Sequence, residues 1–276
     1  MNSPQLRLSN SMISVLQRNG ITTPTPIQEE IIPAILDGQD VLAQSETGSG
    51  KTLSFAIPII EQTHRTSGLR ALVICPTREL AVQIAGEFTK FAEGKALGIA
   101  AIYGGTSIPQ QAKRLARANI IVGTPGRLID LLERGMLHLG TVDTVVLDEA
   151  DRMLDMGFIK DIEAIIRRVP KERKMLMFSA TLANDIEALS RKYLRHPKHV
   201  RMAASVKPEF LRQTYFQTTT DQKIHLLVHL LKAERDLALV FCNRKHVTSR
   251  IAQQLVRSGV QARCLNGNMN QKQRER

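Results

Sequence analysis

Short apolar runs alternate with segments of helical spacing along the first two hundred residues. Each run has consecutive apolar residues at its centre and not alternating ones, which is typical of parallel strands that helices cover on both faces. These predicted strands lie at residues 40–44, 71–76, 98–104, 119–125, 144–150 and 174–180. Helical spacing follows several of them, as in residues 78–92 and 158–169. The pattern predicts an α/β fold in which a parallel sheet lies between two layers of helices.

The alternation breaks near residue 205 and then restarts. We predict a first domain over residues 1–205, a linker over residues 206–213, where periodicity is lost, and a second unit over residues 214–276. The strands predicted in that unit are 214–219, 237–242 and 262–267, and its predicted helices are 221–234 and 245–259. Because a domain usually has roughly 100–200 residues, we expect this unit to be the incomplete start of a second α/β domain.

Composition adds a basic bias that is concentrated near the end of the chain. The net charge is +12, and residues 201–276 carry 14 Lys/Arg against 5 Asp/Glu. A basic end favours a polyanionic partner, most simply nucleic acid, and a solvated basic surface is the alternative. With no Trp and only 4% aromatic residues, stacking of bases on many aromatic side chains is disfavoured.

Cysteine spacing and hydropathy both predict a cytoplasmic protein. Cys75, Cys242 and Cys264 are far apart in apolar segments without metal-binding spacing, so we expect buried free thiols in a reducing compartment. No apolar run reaches the roughly 18 residues of a membrane span. The first residues lack the basic-then-apolar design of an export signal.

Residues 41–55, "VLAQSETGSGKTLSF", resemble a phosphate-binding loop between a strand and a helix. Gly48 and Gly50 let backbone N–H groups wrap phosphates at the amino terminus of the helix. Lys51 would reach the β- and γ-phosphates, and Thr52 would bind Mg²⁺. The usual pattern begins with glycine where this chain has Ser45. A glycine-rich turn without a ligand is the alternative.

The stretch "VVLDEAD" ends a buried strand with three carboxylates, and the carboxyl ends of parallel strands face the ligand-binding crevice. Asp148 suits Mg²⁺, and Glu149 suits a base that orients an attacking water. An acidic helix start favoured by the helix dipole is the alternative.

The stretch "PTPIQ" begins the first predicted helix: Thr25 can cap it, and Pro26 suits its first turn. The Gln28 amide matches N6 and N7 of adenine and mismatches O6 of guanine. Taken alone, Gln28 would be interpreted as an ordinary residue of a helix surface.

Six motifs together resemble the DEAD-box RNA helicases over nearly the whole chain. In order they are PTPIQ (24–28), the phosphate loop (45–52), PTRELA (76–81), TPGR (124–127), DEAD (148–151) and SAT (179–181). In that family the nucleotide loop commonly begins with a small residue other than glycine, which fits Ser45. The resemblance implies RecA-like domains, of which the first is complete and the second partial.

The resemblance also implies an ATP site with Mg²⁺. Its implied nucleotide contacts are Thr23, Gln28, Ser45, Thr47, Gly48, Ser49, Gly50, Lys51 and Thr52. Thr52 and Asp148 would hold the metal, and Lys51, Asp148 and Glu149 would act in catalysis. Residues that couple the nucleotide site to RNA would be Asp151, Ser179 and Thr181.

A grip on the sugar-phosphate backbone of one RNA strand follows from the same resemblance. The implied RNA contacts are Pro76, Thr77, Arg78, Gly104, Gly105, Thr124, Gly126, Arg127, Gln271 and Arg274. Contacts of this kind position a strand without reading its sequence, while 2′-hydroxyls permit a preference for RNA. Taken singly, these residues are typical of helix starts, turns and polar surfaces.

The implied mechanism is that ATP closes two domains over a bent strand, which unpairs a short duplex, and hydrolysis then releases it. The family's later "HRxGR" motif, whose arginines reach the γ-phosphate, does not occur in these residues, and no aromatic precedes Phe55 to stack on adenine near Ser3. We therefore expect the chain to bind ATP, to hydrolyse it weakly and to unwind nothing alone. We also expect a monomer.

Three alternatives remain open at this stage. A non-enzymatic RNA-binding module could use ATP only as a clamp, in which case it would not need the Glu149 carboxylate. A GTPase is disfavoured, because the chain has no N-K-x-D sequence and Gln28 fits adenine. A DNA translocase would bind single-stranded DNA as well as RNA.

Overall fold

The structure, a computed structural model, divides into two compact units, Met1–Lys207 and Pro208–Arg276. It describes residues 6–46, 48–202, 212–233, 237–269 and 271–274, with only the backbone at 67, 271 and 272. Most of the predicted linker, residues 206–213, therefore lies outside the described residues, as does Thr47.

The first unit contains a seven-stranded parallel sheet in the order β3-β4-β2-β5-β6-β1-β7. The strands are β1 (Val41–Gln44), β2 (Ala71–Ile74), β3 (Ile99–Ile102), β4 (Ile120–Gly123), β5 (Thr144–Leu147), β6 (Lys174–Ser179) and β7 (Lys198–Arg201). The six strands predicted from the sequence are confirmed as β1–β6. β7 was not predicted, because only one of its four side chains is buried and its sequence, "KHVR", is mostly polar.

Helices connect the strands of this unit and cover both faces of the sheet. They are α1 (Asn10–Arg18), α2 (Pro26–Leu36), α3 (Lys51–Gln62), α4 (Arg78–Phe91), α5 (Ile108–Leu115), α6 (Pro125–Glu133), α7 (Ala150–Asp155), α8 (Ile159–Ile166) and α9 (Asn184–Tyr193). The prediction that α2 is the first helix was wrong. α1 precedes it, and the Ser9 hydroxyl accepts a hydrogen bond from Met12 N at the start of α1.

Two apolar cores, one on each face, explain why the strands are apolar throughout. Along β2, Val73 belongs to the core on one face and Ile74 to the core on the other. The first core contains Phe55 and Phe178, whose ring centroids are 5.1 Å apart. The second core contains Leu128 of α6 and Met177 of β6. Every position of β2, β4 and β5 is buried, so the apolar side chains of both faces are removed from water.

Gly98, which directly precedes β3, has less room for a side chain than any other glycine of the chain. Gly98 N donates to Asn119 Oδ1 at 2.9 Å, and a Cβ on Gly98 would overlap the carbonyl oxygen of Arg117. We expect Gly98→Ala to lower the free energy of unfolding by about 2 kcal/mol, measured by urea denaturation. Gly86→Ala is the matched control. Its Cβ meets nothing within 4 Å in the middle of α4, so it should stabilise by roughly 0.5–1 kcal/mol. Equal effects of the two changes would contradict this account.

The second unit contains α10 (Lys223–Ala233), α11 (Lys245–Arg257) and α12 (Gln271–Arg274). Its two long predicted helices are confirmed. The three predicted strands, 214–219, 237–242 and 262–267, are a correction: within its described residues these segments form no hydrogen-bonded strand. A strand needs neighbours on its edges and cover on its faces, yet Leu237 is 92% exposed and Phe241 is 91% exposed.

All three cysteines are free. Cys75 is buried as predicted, and burial raises the pKa of its thiol, so that it stays protonated at neutral pH. The expectation of buried thiols was wrong for Cys242 and Cys264, which are half-buried because their segments have no covering sheet.

Candidate nucleotide and RNA site

Three of the predicted motifs meet at the carboxyl edge of the sheet. The phosphate loop follows β1, DEAD follows β5, and SAT ends β6, which pairs with both of those strands. Gln44 lies opposite Ser179 in the β1–β6 register, and Ser45 N donates to Ser179 O at 3.0 Å. Parallel pairing thus brings together residues that are more than a hundred positions apart in the sequence.

The phosphate loop is held by its own side chains. Gly48 and Gly50 have φ of 84° and 95°, which glycine adopts without strain. Lys51 is buried, and its Nζ donates to Ser45 O at 2.8 Å. Ser49 Oγ donates to Ser45 Oγ at 3.1 Å. Serine in place of the first glycine therefore adds a hydrogen bond inside the loop.

Gln28 joins α2 to this loop. Its Oε1 accepts a hydrogen bond from Thr25 N at 3.0 Å, and its Nε2 donates to Gly50 O at 3.2 Å. Gln28 is buried, so its interpretation as a surface residue was wrong. The Gln28 Oε1 can accept one further hydrogen bond, and its Nε2 can donate one more. Thr23 is exposed nearby in the sequence.

Thr25 occupies the cap position of α2 as predicted, and Pro26 is the first helical residue. The buried Thr25 hydroxyl has no hydrogen-bond partner in the described part of the chain. The hydroxyl packs against Gly50 of the loop instead. The packing is so close that a Cβ on Gly50 would lie only 2.7 Å from Thr25 Oγ1 and from Gln28 Nε2. Only glycine at position 50 permits this close approach.

Asp148 is a buried carboxylate in the middle of the site. Its Oδ1 accepts a hydrogen bond from Glu149 N at 3.0 Å. Its pKa is raised to about 6: burial is the main cause, Lys51 opposes it, and the nearby carboxylates of Glu149 and Asp151 contribute to the rise. Asp148 therefore carries a negative charge that its surroundings compensate only in part.

The next two carboxylates of DEAD have separate partners. Glu149 has left-handed backbone with φ of 52°, and its Oε2 accepts from Arg152 Nη1 at 3.2 Å. Asp151 Oδ2 accepts three hydrogen bonds from SAT: Ala180 N at 3.1 Å, Thr181 N at 2.9 Å and Thr181 Oγ1 at 3.2 Å. The DEAD and SAT motifs are thus directly bonded to each other.

The ends of β2, β3 and β4 form the neighbouring part of the same edge. Pro76 is buried there, and Thr77 Oγ1 caps α4 by accepting from Leu80 N at 3.3 Å. The Arg78 guanidinium lies against the turn at Gly104 and Gly105. A Cβ on Gly104 would be 3.3 Å from Arg78 Nη2, and one on Gly105 would clash with Nη1. The two glycines therefore allow the arginine to pack on the turn.

Arg127 of TPGR is turned towards protein groups. Its side chain is 11% exposed, its Nη1 donates to Thr106 O at 3.1 Å and to Gln111 Oε1 at 3.3 Å, and its Nε lies 3.5 Å from Asp130 Oδ2. Thr124 takes the cap position of α6, and the space around Gly126 is open.

The bond between Gln111 and Arg127 was not predicted from the sequence, because a single polar residue in a helical segment gives no signal of such a contact.

In the second unit, the predicted contacts Gln271 and Arg274 lie in α12, with Arg274 exposed.

The family model of the DEAD/DEAH box helicases matches residues 25–189. A probable ATP-dependent RNA helicase of Methanocaldococcus jannaschii is 41% identical over 277 residues, which cover 100% of this chain and 75% of that protein. The chain belongs to the DEAD/DEAH box helicase family. The motifs that converge at the carboxyl edge all lie within or next to the matched region.

Other relatives of this family member are longer. The DEAD-box ATP-dependent RNA helicase CshA of Streptococcus pneumoniae is 40% identical over 99% of this chain and 53% of that protein. The ATP-dependent RNA helicase DeaD of Klebsiella pneumoniae is 41% identical over 98% of this chain and 43% of that protein. The chain spans about half the length of these relatives.

A crystal structure of a DEAD box protein from the hyperthermophile Methanococcus jannaschii shares the fold of this family member. Its TM-score is 0.71 at 40% sequence identity, over 100% of this chain and 75% of that one. The described residues of the present chain include no helix with both the length and the apolar character needed to cross a membrane.

Proposed function

We propose that this chain is the nucleotide- and RNA-binding part of an ATP-dependent RNA helicase. The observation that carries the proposal is the set of three hydrogen bonds from SAT to Asp151. Because Ser45 N also donates to Ser179 O, continuous bonds run from DEAD through SAT to the phosphate loop. Such a network gives a bound nucleotide and a second ligand a physical route by which to affect each other.

ATP with Mg²⁺ is the proposed cofactor. Its phosphates would be bound by backbone N–H groups and by Lys51 at the amino terminus of α3, a 12-residue helix whose dipole favours anions. Mg²⁺ suits Asp148 and Thr52, because it prefers hard oxygen ligands. The raised pKa of Asp148 supports this assignment, since a divalent cation would supply the compensating charge. Gln28, with Thr23, would select adenine.

Hydrolysis would depend on Glu149, which we propose as the group that orients the attacking water. Asp151, Ser179 and Thr181 would couple that site to RNA. We expect hydrolysis by this chain alone to be weak, because its sequence has no "HRxGR" motif to bring arginines to the γ-phosphate. Such arginines typically contribute about 10³–10⁵ in rate.

RNA would be bound through its backbone along the edge formed by the ends of β2, β3 and β4. The residues proposed to contact or shape this edge are Pro76, Thr77, Arg78, Gly104, Gly105, Thr124, Gly126 and Arg127. Arg78 suits phosphate, because its planar guanidinium presents several donors. In the second unit, Gln271 and Arg274 are proposed as separate RNA contacts. Backbone contacts carry no sequence address, so binding would not be sequence-specific. We also propose that the protein is a cytoplasmic monomer, and that unwinding of short duplexes belongs to the whole helicase and not to this chain alone.

Competition binding tests the two chemical assignments separately. A fluorescent ATP analogue bound to the chain should be displaced by ATP about tenfold better than by GTP, since a buried amide discriminates the two bases. A labelled single-stranded RNA should be displaced better by RNA than by DNA of the same sequence. Equal displacement by GTP would refute the choice of adenine, and equal displacement by DNA would refute the choice of RNA.

A further inference from the structure

Gln111 is a buried amide whose hydrogen bonds all go to the proposed RNA-binding edge. It lies in the second turn of α5 and is 4% exposed. Its Nε2 donates to Tyr103 O at 2.8 Å and also to Thr106 Oγ1. Its Oε1 accepts from Arg127 Nη1 at 3.3 Å. One side chain therefore bonds to both ends of the turn at residues 103–106 and to the arginine of TPGR.

The turn that Gln111 holds carries the two glycines on which Arg78 packs. Thr106 Oγ1 donates to Tyr103 O at 3.2 Å, and Arg127 Nη1 donates to Thr106 O at 3.1 Å, so four groups form one network beneath the turn. Gly105 has φ of 84° and is exposed, whereas Gln111 below it is buried. The segments after β3 and β4 are thereby bonded to each other through an amide that belongs to none of the six motifs, and Arg78, which follows β2, packs on the turn that this amide holds.

We propose that Gln111 is a positioning residue for RNA: it sets the turn at 103–106 and, through it, the Arg78 guanidinium, without touching RNA itself. This inference deepens the proposed function and rests on it. The orientation of the Arg78 guanidinium matters because a guanidinium binds phosphate through hydrogen bonds of defined geometry. A buried hydrogen-bonded network fixes one arrangement where an apolar replacement would leave several.

The chain offers a matched control in Asn119, which is also 4% exposed and also bridges loops. Its amide bonds to Gly98 N, Arg65 O and Gly68 O at the amino edge of the sheet, away from the proposed RNA edge. Gln111→Met and Asn119→Met both remove a buried amide. If Gln111 had only a structural role, the two variants would have the same effect on RNA affinity.

Affinity for labelled single-stranded RNA, measured by fluorescence anisotropy, separates the two roles. We expect Gln111→Met to weaken RNA binding about tenfold, equivalent to losing one or two net hydrogen bonds. Its dissociation constant for the fluorescent ATP analogue should stay within about twofold of the unsubstituted chain's. Asn119→Met should lower the melting temperature and leave RNA affinity unchanged. RNA affinity that is unchanged in folded Gln111→Met, or reduced equally in both variants, would overturn the proposal.

Thr106→Val provides a second test should Gln111→Met fail to fold. It removes the hydroxyl that bonds to Gln111 and Tyr103 at a half-buried position, so it should fold and weaken RNA binding about threefold. Unchanged RNA affinity in this variant would count against the network. If the unsubstituted chain binds no RNA, the proposed function itself fails. If it binds RNA and both variants match it, only the inference about Gln111 fails.

Discussion

Asp148→Asn is expected to stabilise the nucleotide-free protein and to abolish its binding of Mg²⁺ and ATP together. The pKa of Asp148 is raised to about 6 from an ordinary 3.8, mainly by burial. The unfolded chain therefore releases this proton at lower pH than the folded chain, and stability falls as pH rises from about 4 to 6. At pH 7.5 the ionised carboxylate costs the fold about 3 kcal/mol, which asparagine removes.

Thermal unfolding in the presence of a chelator measures this effect. At pH 7.5 the variant should melt roughly 5–10 °C higher than the unsubstituted chain, and the difference should vanish below about pH 4. Asp40→Asn is the control. Asp40 is also buried, but its oxygens accept from Met175 N at 2.8 Å and from Arg195 N at 2.6 Å, so that variant should lose stability. A destabilised Asp148→Asn would contradict the account of an uncompensated charge.

Lys51→Met is expected to weaken ATP binding by about 100-fold or more, because losing one partner of a buried charge pair typically costs about 2–5 kcal/mol. Lys51 Nζ is a buried ammonium within the phosphate loop, held by Ser45 O at 2.8 Å. The variant would lack the ammonium group that is proposed to bind the phosphates. Titration with the fluorescent ATP analogue measures the change.

Lys95→Met is the matched control for this prediction. Lys95 Nζ donates to Ile60 O at 2.8 Å and to Glu61 O at 2.9 Å, at the opposite end of the helix that Lys51 begins. That variant removes a lysine that bonds to the carboxyl end of the same helix, so it should lose some stability while keeping its affinity for ATP. If both variants bound ATP as tightly as the unsubstituted chain, the phosphate assignment would be refuted.

Most strands of the first unit could be predicted because burial on both faces favours apolar residues at successive positions, as in β2. The same logic failed for β7, where one buried valine between polar residues gives no such signal. It also over-predicted the second unit, because apolar runs such as 237–242 indicate a strand only where a sheet is present to cover them. The strand order could not be predicted, since crossovers leave no mark on local periodicity.

In the candidate site, the motifs located the carboxylates and the phosphate loop, because their residue types follow from phosphate and metal chemistry. Sequence reasoning placed Arg127 among the RNA contacts, which stays a prediction, but it could not show that the guanidinium also contacts Thr106, Gln111 and Asp130. The protein partners of an arginine come partly from loops that follow other strands, and the local sequence does not show which loops lie beside it. For the same reason the sequence left open whether Gln28, predicted to contact adenine, lies on a helix surface, whereas in the structure it is buried and bonds to Gly50 O.

Turnover of ATP by the 276-residue chain, with and without single-stranded RNA, tests the central claim most directly. The chain should bind both ligands, hydrolyse ATP slowly, and gain little rate from RNA. Glu149→Gln should remove the residual turnover while ATP binding persists, which separates hydrolysis by this site from a contaminant and an enzyme from a simple clamp. Failure to bind ATP, or strong stimulation of hydrolysis by RNA, would contradict the account.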